Sequence, residues 1–144
     1  MPRFKWKSAI IPPSPTIDMN KISQEIQIGE LGELLVQARL LQYGVQTAPP
    51  TAEPGNDLIA TKDQSSRAVQ VKTRTTDSFA LGPLPWHYDI LALVKLVGDG
   101  QEVHLDDSSV YLIPKKIVES REINRFDDLA EFLITSKRVS DLFD

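Results

Sequence analysis

Apolar residues recur at intervals of three and four residues in the segment that runs from about Asn20 or Ser23 to Tyr43. They are Ile28, Leu31, Leu35 and Ala38, with Leu34 and Leu41 beside them. This spacing predicts an amphipathic helix with one apolar face. Gly44 is expected to end the helix, and residues 45–47 are expected to form a short strand.

Two short apolar runs, residues 54–61 and 68–74, lie on either side of a polar segment and predict a β-hairpin. A turn centred between Gln64 and Ser65 would place Thr61 opposite Ala68 and Asp57 opposite Lys72. Side chains alternate between the two faces of a strand, so one face of this hairpin is apolar. Its apolar residues are Leu58, Ala60, Val69 and Val71.

The rest of the chain predicts further strands and two short helices. Residues 75–87 are expected to be irregular, because Gly82, Pro83 and Pro85 disfavour a helix. Residues 88–97 are apolar on both faces and predict a central strand. Residues 110–113 predict another strand, and Pro114 suits the start of a short helix through residue 118. A final helix is expected at residues 127–134, with Phe126, Leu129, Ala130 and Leu133 pointing inward.

Length and composition indicate one globular domain, and the predicted mixture of helices and strands is of the α/β class. The chain has 144 residues, 41% of them hydrophobic, and the prolines at positions 2, 12, 13 and 15 set residues 1–19 apart as an arm before a domain at 20–144. The lack of cysteine excludes disulfides, thiolate zinc sites and cysteine nucleophiles. No apolar run could span a bilayer and the N-terminus does not resemble a signal peptide, so we expect a cytoplasmic protein without membrane contact.

The polar face of the predicted hairpin carries Asp57, Gln70 and Lys72. A hard cation such as Mg²⁺ prefers oxygen ligands, which Asp57 and Gln70 can supply. Lys72 could stabilise a phosphate oxyanion beside the metal. A further carboxylate could come from the preceding helix, where Glu30 and Glu33 lie one turn apart.

These residues occur in an order that resembles the PD-(D/E)xK nuclease superfamily. The resemblance rests on Glu33 eleven residues before Gly44, then Pro-Gly-Asn-Asp-Leu-Ile-Ala ending at residue 60, then Val-Gln-Val-Lys ending at Lys72. It covers residues 23–74 and is closest to archaeal Holliday-junction resolvases and related small endonucleases. It implies a restriction-endonuclease-like mixed β-sheet with flanking helices, in which an N-terminal helix precedes a β-hairpin core.

The resemblance implies a metal-dependent endonuclease that hydrolyses phosphodiester bonds in DNA, including branched or structured DNA. Asp57, Gln70 and Glu33 would hold Mg²⁺, or Mn²⁺, and Lys72 would assist hydrolysis. A homodimer is implied as well, since two subunits can cut two strands. Gln70 stands where most members carry an acid, although active members with Gln occur, and residues 75–87 lack the helix that the family often places there.

Other interpretations stay open. The same fold could serve as an inactive module that binds nucleic acid or a protein, which the net charge of −4 and Gln70 favour. A regulatory or immunity-type protein is a third option. The basic arm with Phe4 and Trp6 could bind nucleic acid, or it could dock these two side chains on its own domain or on a second subunit. Among the histidines, His87 is expected to be packed by its aromatic neighbours, and His104 to lie at a polar strand edge rather than bind metal.

Overall fold

A computed structural model describes residues 4–5, 23–50, 57–98 and 102–144. The strands are β1 (Phe4–Lys5), β2 (Gln46–Ala48), β3 (Leu58–Lys62), β4 (Ser65–Arg74), β5 (Ile90–Lys95), β6 (Glu102–Val103) and β7 (Ser109–Pro114). The α-helices are α1 (Gln24–Gln42), α2 (Lys115–Ser120) and α3 (Ser136–Phe143), and 3₁₀-helices cover Leu105–Asp107 and Phe126–Phe132. Apart from Phe4–Lys5, the predicted arm lies outside the described residues.

The main sheet has five strands in the order β2-β3-β4-β5-β7. β4 and β5 are parallel, whereas the other neighbouring strands are antiparallel. The short strands β1 and β6 form a separate antiparallel pair. The protein therefore has the expected α/β architecture, with a mixed sheet and flanking helices.

Both faces of the main sheet are covered. The first core packs one face against α1 and α3, and includes Leu40, Val69, Ala92 and Phe143. The second core packs the other face of the sheet against three elements: the segment that connects β4 to β5, helix α2, and the second 3₁₀-helix. It includes Leu91, Leu93 and Phe126. β5 contributes to both cores, as its continuous apolar sequence predicted, and it lies inside the sheet between β4 and β7.

Helix α1 begins and ends close to the predicted positions. The Ser23 side chain accepts a hydrogen bond from Ile26 N, a typical N-cap, and Gly44 takes a positive φ of 81° just after the helix. The predicted apolar face is wrong in part. Gly32, Leu35, Val36 and Leu40 are buried, whereas Leu34, Ala38 and Leu41 are exposed, because apolar residues surround the helix and periodicity alone does not select one face.

The β3–β4 hairpin has a different register from the predicted one. Lys62 pairs with Ser65 and Thr61 with Ser66, so the turn is Asp63-Gln64, with Asp63 at a φ of 55°. A two-residue turn favours such left-handed residues, and Asp tolerates them. The error shifts pairing by two residues, so each residue keeps its predicted face. Leu58, Ala60, Val69 and Val71 are buried in the first core as expected.

The C-terminal region differs most from expectation. Residues 126–132 form a 3₁₀-helix, whose three-residue period buries Phe126, Leu129 and Phe132 and leaves Ala130 and Leu133 exposed. Helix α3, capped by the Thr135 side chain, was not predicted. No helix in the described part of the chain is long and apolar enough to cross a membrane.

Candidate active site

Asp57 is fixed against β4 by three hydrogen bonds. Its backbone N–H donates to Val69 O at 3.2 Å, which extends the hairpin ladder by one residue. Its carboxylate oxygen Oδ2 accepts from Val71 N at 2.9 Å and from Gln70 Nε2 at 2.9 Å. Both donors reach the same oxygen, so Oδ1 is the atom that could bind a cation.

Gln70 is almost fully buried, with 9% of its surface exposed. Its Nε2 group is held by Asp57, whereas Oε1 is buried without a hydrogen-bond partner among the described residues. A buried carbonyl oxygen with no partner costs about 1–3 kcal/mol. A cation would compensate that cost, because amide oxygens are ligands for hard divalent ions.

Glu33 approaches the same region from helix α1. Burial raises the pKa of its carboxyl group above the usual value, and the nearby carboxylates of Asp57 and Glu30 raise it further. Asp57 is therefore near enough for its negative charge to act on the carboxyl group of Glu33. Glu33 therefore lies in a partly desolvated site where a positive charge would be favourable.

All four candidate residues, Glu33, Asp57, Gln70 and Lys72, line one cavity of about 520 Å³. It lies between the N-terminal half of α1 and the C-terminal half of β4. Glu30 is exposed and does not line this cavity. The structure thus brings together a helix acid, a strand acid, an amide and a lysine that are up to 39 residues apart in sequence.

The donor set of the cavity is suited to a hard divalent cation but is poor in charge. Glu33 and Asp57 supply two carboxylates and Gln70 supplies one amide oxygen, and the carboxylate of Glu25 also lines the cavity. The described residues nevertheless contain no group of three or more His, Asp or Glu side chains that could hold a metal ion together. Any ion bound here would need the Gln70 carbonyl oxygen or the phosphate of a substrate to complete its ligands. These residues fit Mg²⁺ or Mn²⁺ on the chemistry of their oxygens.

Several lining residues were not predicted from the sequence. Thr73, Thr75 and Thr76 line the cavity beyond Lys72, and Glu25 lines it one helical turn before Gly29. Val71 holds Asp57 through its backbone N–H, for which the sequence gives no signal. The three threonines could have been predicted from the sequence, because Thr73 follows Lys72 in β4 and the other two come directly after the strand ends.

The two histidines lie away from this cavity. The ring of His87 lies beside that of Trp86, with 5.6 Å between the ring centroids, so one aromatic neighbour contacts it as expected. Both residues are nevertheless exposed, so His87 is not enclosed by aromatic residues. His104 follows β6 and is half-buried, with Nε2 at 4.0 Å from Glu102 and Nδ1 at 3.7 Å from Asp107. Neither histidine joins the candidate site.

Comparisons of the chain with known protein families, with curated proteins and with solved structures found no match.

Proposed function

We propose that this protein is a metal-dependent endonuclease that hydrolyses phosphodiester bonds in DNA. The observation that carries the proposal is the shared cavity of Glu33, Asp57, Gln70 and Lys72, with the buried Gln70 Oε1 lacking a partner among the described residues. The sequence resemblance to the PD-(D/E)xK nucleases supplies the reaction class and the restriction-endonuclease-like fold.

Each residue has a role that its position supports. Asp57 Oδ1, Gln70 Oε1 and the Glu33 carboxylate would hold Mg²⁺ or Mn²⁺. The bound ion would stabilise the charge that develops on the phosphate and activate a water for attack. Gln70 Nε2 and Val71 N orient the Asp57 carboxylate. The Lys72 ammonium group would stabilise the phosphate oxyanion in the transition state.

A cleavage assay with matched variants tests this proposal. Asp57→Ala and Lys72→Ala should each abolish Mg²⁺-dependent cleavage of DNA while the circular dichroism spectrum stays that of the parent protein. Asp106→Ala and Lys137→Ala remove the same charges from exposed positions and should leave cleavage unchanged. Normal cutting by either site variant would refute the assignment.

A second candidate function is a non-catalytic module with the same fold that binds nucleic acid or a protein partner. The shortage of acidic ligands favours it, because an amide contributes no negative charge to metal binding. Calorimetry with Mn²⁺ separates the two functions. Binding that Asp57→Asn abolishes supports the nuclease, and the absence of binding at millimolar Mn²⁺ supports the module.

A homodimer that binds branched DNA would explain how two strands are cut, and it belongs to the same proposal. Light scattering of the purified protein, alone and with a four-way junction, measures the number of subunits. A monomer in both conditions would remove this part of the proposal and leave the single-site chemistry intact.

A further inference from the structure

Trp86 is the most exposed large hydrophobic residue in the described part of the chain, at 86%. It lies in the segment between β4 and β5, whose other apolar residues behave differently. Phe79, Leu81 and Leu84 pack against the second core and Tyr88 is buried in it. Because these large apolar side chains pack against the core whereas that of Trp86 projects into solvent, the segment displays the indole ring at the surface.

The backbone around Trp86 is fixed from two sides. The Trp86 carbonyl accepts a hydrogen bond from Lys115 Nζ, which also lies 5.1 Å from the centroid of the Tyr88 ring. Asp89 is joined to β4 by two hydrogen bonds: its N–H donates to Ala68 O at 2.9 Å, and its Oδ2 accepts from Ala68 N at 2.8 Å. A backbone fixed in this way reduces the conformational entropy that the segment loses when a ligand stacks on the ring.

The chemistry around Trp86 suits a nucleotide. His87 is exposed, with its ring centroid 5.6 Å from that of Trp86. Lys115 donates to the Trp86 carbonyl, and Lys116 follows Lys115 in helix α2. We call Trp86, His87, Lys115 and Lys116 the Trp86 platform. Two carboxylates lie near it, but Asp89 is bound to Ala68 N and Glu119 is exposed. Aromatic and cationic groups together bind unpaired bases and their phosphates.

The Trp86 platform is connected to the candidate active site through β4. Ala68, which holds Asp89, lies two residues before Gln70 on this strand. Two residues lie between Trp86 and Asp89, so the Trp86 Cα atom lies within about 22 Å of the Gln70 Cα atom. That distance corresponds to roughly six nucleotides at the rise of a stacked strand.

We propose that Trp86 stacks on an unpaired base of the DNA strand, so that the substrate is DNA with a single-stranded segment beside the cleavage site. The inference rests on the proposed nuclease function for its substrate. In a continuous duplex each base face is covered by its neighbours, so only unpaired bases offer a face to the indole ring. Branched DNA, flaps and frayed ends meet this requirement.

Tryptophan fluorescence in EDTA tests stacking without cleavage. The chain has two tryptophans, so Trp6→Phe leaves Trp86 as the single reporter. Oligothymidylate should quench its fluorescence, and a blunt duplex of the same length should quench it much less. Trp86→Ala should weaken oligothymidylate binding by about 5- to 150-fold, and Trp86→Phe by less, since stacking contributes about 1–3 kcal/mol per base. Leu41→Ala, another exposed apolar position, should have no effect.

The outcomes separate this inference from the nuclease proposal. Quenching by oligothymidylate in a protein that never cleaves DNA would support stacking and overturn the nuclease. Metal-dependent cleavage with unchanged binding by Trp86→Ala would overturn stacking alone. Equal quenching by duplex and single strand would overturn the substrate class. A change of subunit number in Trp86→Ala, measured by light scattering, would assign the exposed ring to an interface between copies and overturn the inference.

Discussion

The backbone of Gly32 packs so closely against Thr73 that a Cβ atom at position 32 would lie 1.8 Å from Thr73 Oγ1. This contact brings helix α1 against β4 beside the candidate site, because Glu33 is the next residue of the helix. Gly29 lies one turn earlier on α1, and a Cβ atom there would meet nothing within 4 Å. The two glycines of one helix therefore have opposite environments.

We expect Gly32→Ala to destabilise the protein by about 1–3 kcal/mol, since the added methyl group forces α1 and β4 apart. Gly29→Ala should instead stabilise it by up to about 1 kcal/mol through helix propensity. Urea unfolding measures both changes. Thr73→Ala removes Oγ1 and Cγ2, so the Gly32→Ala/Thr73→Ala double variant should recover part of the loss. Equal stability of the two glycine variants would contradict the close packing.

Replacement of Gln70 by glutamate tests the cation site. Gln70→Glu removes the Nε2 donor and places a second carboxylate beside Asp57 Oδ2, which should lower stability by on the order of 2 kcal/mol without metal. Mn²⁺ should then raise the melting temperature of Gln70→Glu more than that of the parent protein, because the added charge strengthens metal binding.

Gln64→Glu is the control for that experiment, since Gln64 is exposed in the β3–β4 turn. It should change neither the stability nor the response to Mn²⁺. If Mn²⁺ stabilises neither Gln70→Glu nor the parent protein, the cavity does not bind divalent cations.

The alternation of side chains along the hairpin could be predicted from the sequence even though its turn could not. Asp57 and Gln70 share a face in both registers, because a shift of two residues in pairing preserves the face of every side chain. The position of the turn depends on which residue accepts a positive φ. Asp63 does so here, and the polar run from Lys62 to Arg67 offers several candidates for that role.

The C-terminal third was predicted less well because its periodicity is not that of an α-helix. Phe126, Leu129 and Phe132 recur at intervals of three, which suits a 3₁₀-helix. The α-helical interpretation was right for Phe126 and Leu129, but it selected Ala130 and Leu133 in place of Phe132. The cavity likewise depends on backbone groups such as Val71 N and on the contact of Gly32 with Thr73. These features arise from tertiary packing and leave no pattern in the sequence.

The raised pKa of Glu33 predicts a pH-dependent effect of Glu33→Gln. The unfolded carboxyl titrates near 4.5, and burial with the nearby carboxylates raises the folded pKa above that value. Between the two values the folded state binds more protons, so this group's contribution to stability falls as pH rises through that window. Glu33→Gln should therefore be more stable than the parent protein at neutral pH, with the difference vanishing below pH 4.5.

Urea unfolding in EDTA from pH 4 to 8 measures this difference. Asp77 and Asp144 have lowered pKa values because of hydrogen bonds from Lys95 and Ser140, and they titrate alike in both proteins. Glu122→Gln, at an exposed position, is the control and should show no such trend. A difference that grows as the pH falls would contradict the environment assigned to Glu33.

Arg74 is expected to order the segment that carries Trp86. Its guanidinium group donates hydrogen bonds to Ala80 O at 3.0 and 3.2 Å and to Leu81 O at 2.8 Å, just after β4 ends. Lysine cannot donate in this forked geometry. Arg74→Lys should therefore accelerate amide hydrogen exchange in residues 79–82 and lower global stability by roughly 1 kcal/mol.

Arg125→Lys is the control, because the ion pair of Arg125 with Asp127 is exposed to solvent. It should change neither the hydrogen exchange nor the global stability. Unchanged exchange in Arg74→Lys would show that the second core orders this segment without the arginine.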